Sequence, residues 1–311
     1  MTQATCVAVV QHNANTDVAS NLDKLTDLSR RARADGAQVI CWPEAFAYLG
    51  RHEGKREILE LLPDGGPILD RCRSLAAELG CELLLGGFHE AIPGDPERCY
   101  NTSVYLDHTG EVRATYRKIH LFDVDIENGP NLRESRQTAP GNQVVTTGTL
   151  FGTLGLTVCY DLRFPALYQN LVDRGAIAVA VPSAFTAPTG ALHWHALLRA
   201  RAIEAQCYVI APAQHGWHSK HRASYGHSMI VDPWGRIVAE VEHGDGYALA
   251  EIDPAEVERV RREIPSLANQ RLTFPPKRKQ AHQSESDLFK VWKEMVDCEH
   301  EASAKCCLGA V

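Results

Sequence analysis

Three stretches of this chain each deliver a reactive side chain at the close of an apolar run. VICWPE carries Glu44, ATYRK carries Lys118 and GLTVC carries Cys159. Presenting a polar group at a strand end is how α/β folds build sites. Taken one at a time, each residue has an ordinary reading. Glu44 suits the first turn of a helix, Lys118 suits a surface, and Cys159 suits a core. Together they make a working set. Only the thiolate of a cysteine attacks, and a free thiol ionises near pH 8.5, about 1.5 units above neutrality. A carboxylate takes the thiol proton and hands it on to a departing amine or ammonia. An ammonium stabilises the thiolate and the oxyanion of a tetrahedral intermediate. The chain after Cys159 reads YDLRFP. A helix opening near residues 164–165 aims backbone N–H groups toward developing negative charge. The Tyr160 amide is then the natural second oxyanion donor.

The elements that must position these residues are legible in outline. ATCVAVVQ, residues 4–11, is a buried strand by its run of valines. Residues 16–35 place Val18, Leu22, Leu25 and Leu28 at helical spacing, with Asp17 at the start and Gly36 past the end. QVICWPE is a second strand, residues 67–80 a helix with proline in its first turn, and CELLLGGF a third strand. This β-α-β-α-β opening implies a layered α/β domain. NTSVYLD and EVRATYRK flank HTG and read as a hairpin. A second hairpin turns near residues 151–152, and its return strand runs up to Cys159. A helix over about 164–174, strand AIAVAVPS, a helix from residue 192, strand YVIAPAQ and a hairpin turning at DPWG complete the body. Hairpins among parallel units predict two mixed sheets with helices outside. After residue 272 the style changes. FPPKRKQ is a connector, and SDLFKVWKEMVDC sets Leu288, Trp292, Met295 and Val296 on one helical face. Residues 1–271 read as the body, and 272–311 as a helical tail that docks or is partly disordered.

Composition narrows the class. The chain has 311 residues, 44% of them hydrophobic, which is ample for a large core. Its formal charge of -7 offers no basic footprint for nucleic acid. No apolar run approaches the length of a membrane span, and the first residues lack the pattern of a signal peptide. Ten cysteines without CxxC spacing suit free thiols in a reducing, cytoplasmic setting. Zinc has no sequence template here, with neither HExxH nor paired CxxC. His193 and His195, two apart on a helix, point to different sides and do not share a metal. His215, His218 and His221 sit in a polar loop. No cofactor is expected.

PEAF around Glu44, YRKIHLFD around Lys118 and CYDLRFP around Cys159 resemble, in order and local context, the nitrilase superfamily of carbon–nitrogen hydrolases. The resemblance covers residues 4–271. GGFHE, the HW-ALLRARAIE-QCYV stretch and RASYGHSMIVDPWG look like the branch that hydrolyses deaminated glutathione, some members of which are fused to a Fhit-type domain. The resemblance implies an αββα four-layer sandwich that dimerises into an eight-layer assembly, or forms a higher homo-oligomer. It implies Glu44 as base and acid, Lys118 as stabiliser, Cys159 as nucleophile and, from NLRES, Glu134 as a second carboxylate at the site. The implied reaction proceeds through a cysteinyl thioester to a carboxylic acid. For deaminated glutathione the products are 2-oxoglutarate and cysteinylglycine. An ω-amidase acting on 2-oxoglutaramate, or a nitrilase or carbamoylase relative, shares the same chemistry. A catalytically silent interaction module is the reading from another class. Arg163, four residues past the cysteine, is a candidate for a substrate carboxylate. Phe185, in PSAFT, is a candidate pocket wall.

Overall fold

The first strand shows how the layers are assigned. In TCVAVVQH (β1, Thr5–His12) successive side chains point to opposite faces. Val7 and Val9 enter one apolar cluster while Ala8 and Val10 enter another. A strand covered on both faces has no polar alternation, so it reads as a continuous apolar run. The computed structural model describes residues 4–125, 131–220 and 222–272.

The chain continues through α1 (Val18–Ala34), β2 (Val39–Trp42), α2 (His52–Arg56), α3 (Pro67–Leu79), β3 (Glu82–Ile92), β4 (Asp95–Leu106) and β5 (Val112–Arg117). An antiparallel pair, β6 (Asp123–Asp125) and β7 (Asn131–Arg133), precedes β8 (Thr146–Thr149) and β9 (Gly152–Leu156). Then come α4 (Pro165–Asp173), β10 (Ala178–Ala180), α5 (Ala187–Ala205), β11 (Tyr208–Ala211) and β12 (Ala213–Ser219). β13 (Arg222–Tyr225), β14 (Ser228–Val231), β15 (Ile237–Val241), β16 (Gly246–Ile252) and α6 (Pro254–Glu263) complete the described chain.

Two mixed sheets result. One has eight strands in the order β13-β12-β1-β2-β3-β4-β5, with β16 also on β1. The other has six, in the order β15-β14-β11-β10-β9-β8. β1, β2 and β3 are parallel, as are β9, β10 and β11, and helices make those crossovers. Leu22, Leu25 and Leu28 of α1 pack with Leu69 and Cys72 of α3 against the outward residues Ala8, Ile40 and Leu83. The inward residues Val9, Cys41 and Leu84 share a cluster with Leu154, Leu156 and Val179 of the second sheet. Leu167, Leu171, Trp194 and Leu198 of α4 and α5 cover that sheet's far side. The layers therefore run helix, sheet, sheet, helix, which is the expected αββα sandwich.

Local signals explain the boundaries. Asp17 caps α1 by accepting from Ser20 N. Pro67 opens α3, and Gly80 closes it in the left-handed region at φ 59. Some expectations move. β9 stops at Leu156 and does not reach Cys159. α5 starts at Ala187, before the expected residue 192, because Pro188 is tolerated in a first turn. β16, unassigned from sequence, pairs antiparallel with β1 along its whole length. Among the described residues no helix is long and apolar enough to cross a membrane. The tail's helical face at Leu288, Trp292, Met295 and Val296 lies outside the described residues.

Candidate active site

Each member of the expected set stands just beyond a strand, where the ladder has released the backbone. β2 ends at Trp42, and Pro43 cannot donate to a ladder. The chain turns at Glu44, and Ala45 takes φ 60. Gly87 makes room for that turn, because a Cβ there would lie 2.6 Å from Ala45 N and 2.7 Å from Glu44 Cγ. Gln214 Nε2 donates to the Glu44 carbonyl at 3.0 Å and fixes the turn to β12. Lys118 directly follows β5, and its N–H donates to the Asn101 carbonyl at 2.8 Å.

Cys159 lies three residues past β9, at the head of a 3-10 turn, Cys159–Arg163. Its φ of 49 places a non-glycine residue in the left-handed region, which is costly and found mostly where surroundings enforce it. The enforcing contacts are visible. Cys159 N–H donates to the Pro182 carbonyl at 2.9 Å. Asp161, fully buried, accepts from Val158 N at 2.9 Å and Tyr116 Oη at 2.7 Å. It also accepts from His120 N at 3.1 Å, and pairs with His120 Nδ1 at 2.7 Å. One carboxylate thus ties the cysteine turn to the segment on either side of Lys118. Asp161→Ala should therefore destabilise the fold by about 3 kcal/mol, since it leaves buried donors unpaired. A denaturant midpoint and kcat measured together test this; an unchanged midpoint would remove Asp161 from this role.

The side chains converge. Lys118 Nζ donates to Glu44 Oε1 at 3.2 Å and to Glu134 Oε2 at 2.9 Å. Asn101 Nδ2 donates to Glu44 Oε1 at 2.8 Å and Glu134 Oε1 at 3.2 Å, bridging the two carboxylates. Ala184 N–H donates to Glu44 Oε2 at 2.7 Å. Glu134 Oε2 also accepts from Phe122 N at 2.7 Å. Glu44, Lys118 and Cys159 are all buried. Burial pushes the Glu44 carboxyl up, but Lys118 and hydrogen bonds from Cys159, Asn101 and Ala184 outweigh it and hold it below the ordinary carboxylate range. Burial alone would lower Lys118, yet Glu134, Glu44 and Cys159 raise it well above an ordinary lysine. Burial and the Glu44 charge push the Cys159 thiol up, with Lys118 pulling the other way. The resting arrangement is a neutral thiol beside an ionised carboxylate and an ammonium. It is a base-assisted cysteine, not a preformed thiolate.

These groups line a cavity of about 330 Å³. Its wall also carries Lys55, Arg133, Arg136 and Arg222. Sequence reasoning missed these four cations, because they come from α2, β7, the turn after it and β13. Asn101 was missed too. It lay inside a stretch read only as a hairpin strand. Phe185 lines a small recess with Cys159 and Tyr160. Tyr160 sits in the first turn after Cys159, where N–H groups lack a partner within the turn. Arg163 lines neither space. Its guanidinium packs 5.0 Å over the Phe185 ring and lies 3.4 Å from His193 Nδ1.

The histidines divide differently from the expectation. His195 meets His227, and both pair with Glu240 Oε1, at 3.1 and 2.8 Å. Their ligand-type atoms lie within 4.8 Å of one another, but none of the three lines the cavity. His215 pairs with Asp245, and His218 with the Ala14 carbonyl and Ser224 Oγ. His221 lies outside the described residues.

The description "Carbon-nitrogen hydrolase" belongs to the family profile that matches residues 6–262. The human deaminated glutathione amidase is 45% identical over 269 residues, covering 85% of this chain and 82% of that protein. The crystal structure of the Caenorhabditis elegans NitFhit protein superposes with a TM-score of 0.82 at 38% identity, over 87% of this chain and 66% of that one. A variant of the Nesterenkonia sp. AN1 amidase, bearing the acetamide moiety of fluoroacetamide on its active-site cysteine, superposes with a TM-score of 0.69 at 26% identity, over 87% of this chain and 98% of that one. The arrangement of a cysteine, two glutamates and a lysine beyond the strand ends of an αββα sandwich thus has its family: the chain belongs to the carbon–nitrogen hydrolases.

Proposed function

We propose that this protein is an amidase that hydrolyses deaminated glutathione to 2-oxoglutarate and cysteinylglycine. The observation that carries the reading is one cavity holding Cys159, Glu44, Lys118 and Glu134 beneath a wall of four cations. Similarity to the human deaminated glutathione amidase supports the substrate. Cys159 Sγ attacks the amide carbon while Glu44 takes the thiol proton. The oxyanion forms between Lys118 Nζ and Tyr160 N–H, donors that keep their place throughout. Glu134 holds the ammonium in line, and Asn101 holds the two carboxylates. Glu44 passes its proton to the departing nitrogen, the C–N bond breaks, and the acyl group remains as a thioester. Glu44 then takes a proton from water, which attacks the thioester carbon, and returns it to the leaving sulfur. Phe185 bounds the acyl chain. Lys55, Arg133 and Arg136 receive the 2-oxo acid's carboxylate, a task for which Arg163 is placed less well.

Measuring 2-oxoglutarate released from deaminated glutathione and from 2-oxoglutaramate tests the choice. We expect kcat/KM to favour deaminated glutathione by more than about tenfold, the factor for a free-energy gap near 1.4 kcal/mol. Preference for the smaller substrate would make the enzyme an ω-amidase. The same proposal includes a cytoplasmic homodimer. The seven described cysteines, all free, support the compartment. Exposed Leu192 and Ile203 on α5 support pairing, and light scattering reads the mass.

A further inference from the structure

The catalytic cavity adjoins a second depression of about 880 Å³. Leu49, Gly50 and Arg222 line both spaces. Beyond them the second is walled by Tyr48, Arg51, His218 and Lys220. The junction is crowded: a Cβ at Gly50 would lie 2.5 Å from Thr16 Cγ2 and 2.6 Å from Tyr48 Oη. Glycine there lets the wall between the two spaces be bare backbone. Tyr48 Oη donates to the Arg51 carbonyl at 3.0 Å and sets the loop that forms this wall.

The charge of the depression is lopsided. Arg51, Lys220 and Arg222 face one acid, Glu53. Among the described residues none of the three cations has an ion-pair partner. Burial holds His218 neutral, down to about 4, and Arg222 pushes the same way. Burial likewise lowers His89, in the catalytic cavity, to about 3, with a smaller push from Arg222. One guanidinium therefore acts on both spaces, and the neighbouring imidazoles add no charge of their own.

We propose that this depression is the leaving-group subsite, in which Arg222 and Lys220 bind the terminal carboxylate of the cysteinylglycine half. The proposal rests on the amidase reading above. The reach fits: two extended residues span at most about 7 Å from the scissile nitrogen, the scale of a neighbouring pocket. The chemistry fits too, because a guanidinium offers a carboxylate two parallel hydrogen bonds. Ammonia, the leaving group of 2-oxoglutaramate, has nothing to place there. The subsite would thus separate the two substrates.

The test compares wild type, Arg222→Gln and Lys220→Ala on three substrates: deaminated glutathione, its C-terminal carboxamide, and 2-oxoglutaramate. For Arg222→Gln we expect a drop in kcat/KM on deaminated glutathione of about tenfold, the scale of one charge-assisted hydrogen bond. Lys220→Ala should give a smaller drop that shrinks at high salt. Wild type should lose a similar factor on the carboxamide, and Arg222→Gln should then no longer distinguish acid from carboxamide. Turnover of 2-oxoglutaramate should not change in Lys220→Ala, and in Arg222→Gln it should fall less than turnover of deaminated glutathione, because Arg222 also lines the catalytic cavity. Equal losses on 2-oxoglutaramate, or a wild type indifferent to the carboxamide, would overturn the subsite. Failure of wild type to cleave deaminated glutathione at all would instead overturn the amidase reading beneath it.

Discussion

Cys159→Ala should abolish amide hydrolysis, lowering kcat by more than about 10,000-fold, as removal of a covalent nucleophile does elsewhere. The fold should survive, since the thiol is small and the turn is held by Asp161 and by backbone bonds. Two further readouts separate a nucleophile from a bystander. Hydroxylamine added during turnover should divert acyl groups from wild type to a hydroxamate, and rapid quenching should reveal an acyl adduct by intact mass. Neither should occur with Cys159→Ala. Absence of both from wild type, with every amide tried, would leave a silent interaction module. The pH profile carries the mechanism. Because burial and Glu44 hold the thiol protonated, kcat/KM should stay flat from pH 7 to about 9, past the ordinary thiol range near 8.5. A rise through that range would mean that the thiol ionises before attack and that Glu44 is not the base.

Lys118→Met carries the second large effect, on both rate and stability. Methionine nearly keeps the volume but leaves Glu44 and Glu134 facing each other across a buried space. Loss of an oxyanion donor should cost kcat about 100- to 1,000-fold. Breaking a buried ion pair by removing one partner typically costs about 3–5 kcal/mol. The pH dependence has a definite sign. Glu44 is depressed in the folded protein, so its contribution is present above its unfolded pKa and fades as pH falls through the folded one. Lys118 is raised, so its contribution is full below the unfolded lysine range and fades only as pH climbs through the raised value. In Lys118→Met the attraction that depressed Glu44 is gone while burial remains, so its carboxyl should rise. The stability deficit should be largest near neutrality and shrink toward about pH 4, where carboxylates protonate. Denaturant midpoints at three pH values measure this. A deficit independent of pH would show that Lys118 does not hold the carboxylates.

The candidate residues that converge in the structure were legible because reactive groups stand out at the ends of apolar runs. Glu44, Lys118 and Cys159 each follow a strand whose valines, leucines or aromatics identify it. Fine geometry was not legible. The sequence reads GLTVC as one strand, yet β9 stops at Leu156 and Cys159 adopts φ 49. No propensity predicts that. It comes from Asp161 within the turn, whose carboxylate is fixed by the distant Tyr116, and from the Pro182 carbonyl, which together over-determine the turn. The Asp161 oxygens go to Tyr116, Val158 and His120, not to Arg163 two residues on. Arg163 looked like the carboxylate receptor because it is close to the cysteine along the chain. Its side chain packs on Phe185 instead.

What the sequence determined by itself is the set of layers and the candidate reacting groups. Both are encoded locally, in the period of apolar residues and in side chains that only chemistry explains at those positions. The tertiary structure decided what surrounds those groups. Asn101 bridges two carboxylates that are 90 residues apart in sequence. Lys55, the Arg133 and Arg136 pair and Arg222 reach one cavity from three separate segments. Each is an unremarkable polar residue in its own stretch. Their meaning lies in long-range convergence, which local patterns do not carry, because a side chain's electrostatic work depends on what lies within a few ångströms of it and not on what lies beside it in the chain.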